Sequence, residues 1–315
     1  MRAAGGKPRR RILAVMSQRP VASKDEYPMV PGPATRLTGR ALGIDIGGTG
    51  IKAAIVDLAT GRLVTERVRE LTPRPTTPKA VMDVVASVVQ SLQATGKLTP
   101  DMPGGAGFPS VIRAGRAMTA THGDASWIGV DIQQMLSERL DRKMAVLNDA
   151  DAAGVAEIAY GAGKGQHGVV LLLDLGTGIG SALFTNGQLV PNMQLGHVEF
   201  RGGDAEARLS PAARKQRKVG WKPWAVEFNQ LLGRYEDYVW PDLIIIGGGL
   251  AKDFPKFEQF LNTKARLLVA AAGTTAGIVG AARVGGNAAQ NVGASGGGRA
   301  TKGRYSSTAG TKRLT

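Results

Sequence analysis

The chain has 315 residues, no cysteine, three histidines, 43% hydrophobic residues and a formal net charge of +15. That length suits about two domains, each with its own core, and the lack of cysteine excludes disulfides, cysteine-ligated zinc, iron–sulfur clusters and thiol nucleophiles. No apolar run approaches the ~20 residues of a spanning helix, and Ile12 to Met16, behind Arg9-Arg10-Arg11, is too short for a secretory core, so a cytoplasmic protein without membrane contact is expected.

The charge is unevenly placed. Residues 1–40 hold nine Lys/Arg against two Asp/Glu and residues 284–315 hold five against none, which leaves 26 basic and 23 acidic residues in 41–283. The first tail is rich in Pro, Arg and Ser, and the last in Gly, Ala, Ser and Thr. Both lack apolar periodicity and are expected to be disordered. Basic tails attract polyanions without specificity, so they imply no specific nucleic-acid partner.

From Ala41 the pattern changes. Ala41 to Ile46 is a short apolar run ending in Asp45-Ile46-Gly47-Gly48-Thr49-Gly50, Ile51 to Val56 is a second, and Thr60-Gly61 is a turn before a third, Leu63 to Val68. These predict three strands in an antiparallel start to a sheet. Pro78 to Gln93 reads as a helix with Val81, Val85, Val88 and Leu92 on one face. A short run ends at Gly107-Phe108-Pro109, and Met144 to Leu147 predicts a buried strand closed by Asn148-Asp149, with a helix behind it through Tyr160.

The opening then repeats. Val169 to Leu173 leads into Asp174-Leu175-Gly176-Thr177-Gly178-Ile179-Gly180, followed by a run from Ser181 to Phe184, a turn at Asn186-Gly187 and a run from Gln188 to Val190. Thr49-Gly50-Ile51 aligns with Thr177-Gly178-Ile179, and an Asp leads each turn. Chance likeness between two Gly-rich hairpins is the plain alternative to two similar domains. The domain reading is a basic tail over 1–40, a first domain over 41–150, a second over 151–283 and a Gly/Ser/Thr-rich tail over 284–315.

Such turns suit phosphate. Without a Cβ, the backbone N–H groups of a tight turn approach an anion closely, and Thr adds a hydroxyl donor. Two turns on opposite walls would grip one polyphosphate, with Asp45 and Asp174 placed to orient Mg²⁺ or its waters. Neither turn has the Gly-Lys-[Ser/Thr] ending of a P-loop.

Gly43-Ile44-Asp45-Ile46-Gly47-Gly48-Thr49 resembles the first phosphate motif of the ROK family of sugar kinases and repressors. Asp174-Leu175-Gly176-Thr177-Gly178-Ile179-Gly180 resembles the second, and Ile244-Ile245-Ile246-Gly247-Gly248-Gly249 resembles the loop near adenosine. Gly107-Phe108-Pro109, Trp127-Ile128-Gly129, Asn148-Asp149, Leu195-Gly196-His197 and Ala276-Gly277-Ile278-Val279-Gly280-Ala281-Ala282 fall in family order. The resemblance implies an α/β fold of two actin-like (hexokinase-like, ribonuclease H-like) domains flanking a cleft. Most members carry a His/Cys₃ zinc lobe. This chain instead reads Gly202-Gly203-Asp204-Ala205-Glu206, then a basic segment, then Gly220-Trp221-Lys222-Pro223-Trp224-Ala225. That resembles the polyphosphate glucokinase and glucomannokinase branch, which implies no zinc, Mg²⁺ as cofactor, polyphosphate and/or ATP as donor, and glucose or mannose as acceptor. A homodimer stays open.

Residue by residue, the resemblance implies Asp149 as general base and Asn148 beside it as a sugar ligand. A helix N-cap is the plain alternative for this pair. Gly107, His122, Gln194, His197 and Glu206 map to the hexose site. Asp45, Gly47, Gly48, Thr49, Lys52, Gly176, Thr177, Gly178, Gly248 and Gly249 map to the phosphate and nucleotide sites. His197 also reads as a satisfied structural histidine, and Glu206 as part of an acidic exposed face with Glu199 and Asp204. Three positions depart from the pattern: Gln194 stands where Glu is usual, His122 where Asn is usual, and Ser110 where Gly is usual. Arg208, Arg214, Lys215, Arg217, Lys218 and Lys222 crowd into fifteen residues without an acid. They read as a polyphosphate track or as an ordinary exposed basic helix.

The leading expectation is a hexose 6-phosphotransferase using polyphosphate and ATP. The alternatives are an ATP-only glucokinase and a catalytically impaired sugar-binding member. A repressor would need a helix-turn-helix, and residues 1–40 are too short, Pro-rich and poorly patterned for one.

Overall fold

The computed structural model describes residues 29–33, 35–120 and 124–295, the last four by backbone alone. In chain order the elements are β1 (Arg40–Ile46), β2 (Ile51–Asp57), β3 (Val68–Glu70), α1 (Pro78–Gln93), β4 (Gly104–Phe108), β5 (Ile112–Arg113), β6 (Arg116–Ala117), α2 (Ile132–Leu140), β7 (Met144–Asn148) and α3 (Asp149–Tyr160). The second half adds β8 (Val169–Leu175), β9 (Ile179–Thr185), β10 (Gln188–Val190), β11 (Glu199–Phe200), β12 (Gly203–Asp204), α4 (Ala205–Leu209), α5 (Pro211–Gln216), α6 (Trp221–Val239), β13 (Leu243–Gly247), β14 (Arg266–Val269) and α7 (Ala276–Ser295).

The repeat read in the sequence is a repeat of topology. One five-stranded sheet runs β3-β2-β1-β4-β7 and the other β10-β9-β8-β13-β14. In each, an antiparallel hairpin starts the sheet and two parallel strands extend it on the other side. The third strand of the first sheet begins at Val68, where the sequence read it as ending. Leu63 makes only an isolated bridge to Val56.

Strand alternation assigns the faces. In β1, Leu42, Ile44 and Ile46 point outward onto α1 and α2. In β8, Leu171, Leu173 and Leu175 point outward onto α6 and its neighbours. The opposite faces, with Ala41 of β1 and Val170 and Leu172 of β8, share one inner core built on α3 and α7. Asp45 and Asp174 have the parity of those inner residues. They therefore emerge at the ends of their strands on the side where α3 begins. Ligands of open α/β sheets bind outside such strand ends.

Two boundaries differ from those read in the sequence. The Gly/Ala-rich stretch taken as a tail from 284 continues α7 to Ser295. The small residues along α7 and its partners are an adaptation to contact: a Cβ on Gly285 would lie 2.3 Å from the Gly104 carbonyl, and one on Gly43, Gly105 or Gly280 would lie 2.1, 1.9 or 1.7 Å from the backbone oxygens of Ile278, Ala281 and Ala152. These glycines let α7 seat on the first sheet and cross α3 at backbone distance. So α7, last in sequence, packs with the first domain. The expected disorder over 1–40 also fails for 29–33 and 35–40. Arg283 of α7 donates to the carbonyls of Gly32 and Thr35, Asn287 to Met29 and Gln290 to Thr38, and Leu37 is buried. The remainder of both tails lies outside the described residues.

Candidate active site

Asp149 opens α3. Asn148 caps the helix, its Oδ1 accepting from the N–H groups of Ala150 and Asp151 at 2.9 and 3.1 Å, while its Nδ2 donates to the Ser110 carbonyl at 3.2 Å. The cap reading of this pair is therefore correct for Asn148, whose buried amide is turned to structure. The Asp149 side chain is half-buried beside it. Gly107 lies against it, since a Cβ there would come within 3.3 Å of the Asp149 Cα.

Two further carboxylates act on Asp149. Burial first, then the charges of Asp174 and Asp45, push the Asp149 carboxyl up to about 7. Burial and Asp45 push Asp174 up to about 6, against an opposing effect of Lys52. Asp45 pairs with Lys52 at 2.7 Å. Asp151, half a turn along α3, is also raised, to about 8, by burial first. The closeness of α3 to the second sheet depends on Gly180, where a Cβ would meet Ala150 Cβ at 2.8 Å.

Each Gly-rich turn is held from outside. In the first, the Gly47 N–H donates to the Gly50 carbonyl at 3.1 Å and Thr72 donates to the Gly47 carbonyl. Arg69 and Arg74 reach the carbonyls of Thr49 and Gly48, both at 3.4 Å. Sequence reasoning missed these two arginines. The antiparallel start held the signal, because Arg69 is the β3 partner of Lys52. In the second turn the Glu206 carboxylate accepts from the Ile179 N–H at 2.7 Å, and Gly178 leaves room for it, as a Cβ would sit 2.2 Å from Glu206 Oε2. Glu206 thus supports this turn, a role the hexose assignment did not foresee. Gly248, at φ +74°, closes over Asp174, whose Oδ1 would lie 2.6 Å from a Cβ there.

The turn carrying Gln194 and His197 is fixed to β9. Ser181 Oγ donates to the Met193 carbonyl at 2.7 Å and accepts from the Leu195 N–H at 2.9 Å, and Tyr235 donates to the Leu195 carbonyl. Gln194 is exposed. The His197 ring bonds through Nδ1 to Asp204 Oδ2 at 2.8 Å and is half exposed. Ser110 is buried and shares a hydrogen bond with Thr119 at 2.9 Å. His122 lies outside the described residues.

The basic segment is less free than its sequence suggests. Glu227 of α6 receives Arg208 at 2.6 Å and, more loosely, Arg201 and Arg217 at 3.2 and 3.7 Å. The Arg208 hydrogen bond holds the Glu227 carboxyl below its ordinary range. Arg214 lies over the Trp221 ring at 3.7 Å, and Trp221 stacks on Phe257 beyond the Gly247–Gly249 loop. Trp224 is fully buried and donates to the Leu209 carbonyl. Lys215, Lys218 and Lys222 are exposed.

Among the described residues, no group of three or more His, Asp and Glu is arranged to hold a metal, and no helix is long and apolar enough to cross a membrane.

A model described as ROK family matches residues 41–207. The polyphosphate glucokinase of Mycobacterium tuberculosis (strain CDC 1551 / Oshkosh) is 42% identical over 253 residues, which is 80% of this chain and 92% of that protein. The crystal structure of an inorganic polyphosphate/ATP-glucomannokinase from Arthrobacter sp. strain KM superposes with a TM-score of 0.76 at 44% identity, covering 78% of this chain and 97% of that one. A ROK family glucokinase from Streptomyces griseus, in complex with glucose and AMPPNP, shares the fold at 23% identity, with a TM-score of 0.67 over 78% of this chain and 99% of that one.

Proposed function

The chain belongs to the ROK family, and from that premise we propose that it is a cytoplasmic hexokinase transferring the terminal phosphoryl group of polyphosphate, and of ATP, to O6 of glucose, with mannose as a second acceptor. The observation that carries this reading is the convergence of Asp149 with two Gly-rich turns, each led by a carboxylate that acts on it. The two sheet-containing lobes correspond to actin-like, hexokinase-like domains, with the hexose in the cleft between them.

Phosphoryl transfer asks for positioning and charge neutralisation more than covalent chemistry. Asp149 accepts the O6 proton as O6 bonds to the terminal phosphorus and the bridging P–O bond breaks. The N–H groups of 48–49 and 177–178 receive the donor's oxygens, those of Gly47 and Gly176 being bonded within their own turns. Gln194 and His197 hold the sugar, with Asp204 fixing the imidazole, and Gly107 lets the start of α3 bring the base close to β4. Closure of the lobes excludes water that would otherwise take the phosphoryl group.

Mg²⁺ fits this donor set. Asp45 and Asp174 offer hard oxygen ligands whose mutual repulsion a dication would relieve, and Mg²⁺ commonly takes one or two carboxylates with the rest from water and phosphate. When bound it neutralises charge on the transferring phosphates.

The base must be ionised to act, and its pKa is raised to about 7. The kcat/KM for hexose is therefore expected to fall as pH drops through neutrality. Added Mg²⁺ should move that midpoint to lower pH by offsetting the repulsion. A profile measured from about pH 5 to 8 that stays flat contradicts Asp149 as the base.

The donor has a second reading, ATP alone. It is favoured by one observation, the engagement of Arg208 and Arg217 by Glu227. Polyphosphate use then rests on Lys215 and Lys218. The double change Lys215→Gln, Lys218→Gln should raise the KM for long-chain polyphosphate about tenfold, flatten its salt dependence and leave the KM for ATP unchanged. Equal effects on both donors would remove the track.

A further inference from the structure

Asp151 is an acid with an odd position. It is 1% exposed, and its Oδ1 is buried without a hydrogen-bond partner. Its Oδ2 accepts from the backbone N–H of Asn192 at 2.8 Å. Asn192 lies between β10 and the Gln194–His197 turn, in the left-handed region at φ +61°. From there its side chain crosses to the other lobe. Oδ1 accepts from the Ile112 N–H at 2.8 Å and Nδ2 donates to the Ile112 carbonyl at 2.9 Å. One amide thus satisfies both backbone groups of a β5 residue, as a neighbouring strand would.

The bonds make a circuit through both walls of the site. Ile112 lies two residues beyond Ser110, whose carbonyl receives Asn148. Asn148 caps the helix that carries Asp149 and Asp151. Going the other way, the next residues after Asn192 are those fixed to Ser181 and leading to Gln194 and His197. A buried carboxyl with an unmet oxygen costs stability, and around it α3 is built of alanines. An apolar residue there would pack without that cost but could not hold Asn192.

We propose that Asn192, held by Asp151, is the pin that sets the Gln194–His197 turn against the loop after β4, so that both lobes present one geometry to the hexose. Asp151 and Asn192 are positioning residues, not catalytic ones. The inference rests on the hexose reading of this site.

The test is glucose binding by calorimetry together with steady-state kinetics on the full-length protein. Asn192→Gly keeps the left-handed backbone available and removes both bonds to Ile112. It should weaken glucose binding and raise the hexose KM about tenfold, with the donor KM unchanged and kcat within about twofold at saturating hexose. Asp151→Asn keeps an acceptor for the Asn192 N–H and should restore near-normal hexose affinity, whereas Asp151→Ala should match Asn192→Gly. Wild-type hexose affinity in Asn192→Gly, or equal rises in hexose and donor KM, overturns the pin. A wild-type protein that binds no glucose overturns the hexose reading and the pin with it.

Discussion

Replacing Asp149 with asparagine is expected to lower kcat for hexose phosphorylation about 10³-fold, the middle of the range for loss of a general base, while glucose binding and folding persist. The isostere keeps an acceptor for the Ala150 N–H, now received by Asp149 Oδ1 at 2.9 Å, so the start of α3 is preserved. It also removes one of three carboxylates that repel one another, so the thermal midpoint should hold or rise. A base acts on the proton that leaves O6 and contributes little before the bond to phosphorus forms. The loss should therefore appear in kcat with the hexose KM almost unchanged. Turnover within tenfold of wild type would assign the proton to another acceptor. Loss of glucose binding would make Asp149 a sugar ligand first.

The second large effect concerns the seam between the lobes. Gly280→Ala places a methyl group 1.7 Å from the Ala152 carbonyl oxygen, where neither helix backbone yields cheaply. Elsewhere on a helix the same change gains up to about 1 kcal/mol from propensity. Here the overpacking is expected to cost about 3 kcal/mol, which for a chain of this size lowers the melting temperature by about 5 °C. Gly233 supplies the control. It lies inside α6 with nothing within 4 Å of a would-be Cβ, so Gly233→Ala should hold or raise the melting temperature. If Gly280→Ala is no less stable than Gly233→Ala, α7 does not cross α3 at backbone distance.

Much of this architecture was legible because its signals are local. An Asp at the end of an apolar run, a Gly/Thr turn and a second run appear twice, and each became a hairpin at the start of a sheet. The α1 helix was legible from the spacing of Val81, Val85, Val88 and Leu92, all of which are buried. The short β3 was misplaced because its residues are half exposed and carry Arg69 and Glu70 in place of an apolar alternation.

What was not legible depends on partners distant in sequence. The glycines and alanines of 284–295 resemble a low-complexity tail, and only the contacts of Gly285 with β4 and of Gly286 with Leu58 give those glycines a purpose. Arg208 and Arg217 looked unpaired because their acid, Glu227, stands beyond the basic run on the next long helix. Asn192 carried no motif at all. Its importance lies in bonds to Ile112, eighty residues earlier. Glu206 was selected as a site residue, but its contact with the N–H of Ile179 required the two segments to be seen together.

The most direct test of the central claim is turnover by the purified full-length protein with Mg²⁺ and glucose, supplied separately with long-chain polyphosphate and with ATP, the product identified by the position of its phosphate. The expected result is glucose 6-phosphate from both donors, lost in Asp149→Asn. A folded protein that binds glucose yet phosphorylates it with neither donor would contradict the claim and leave a sugar-binding member of the family in its place.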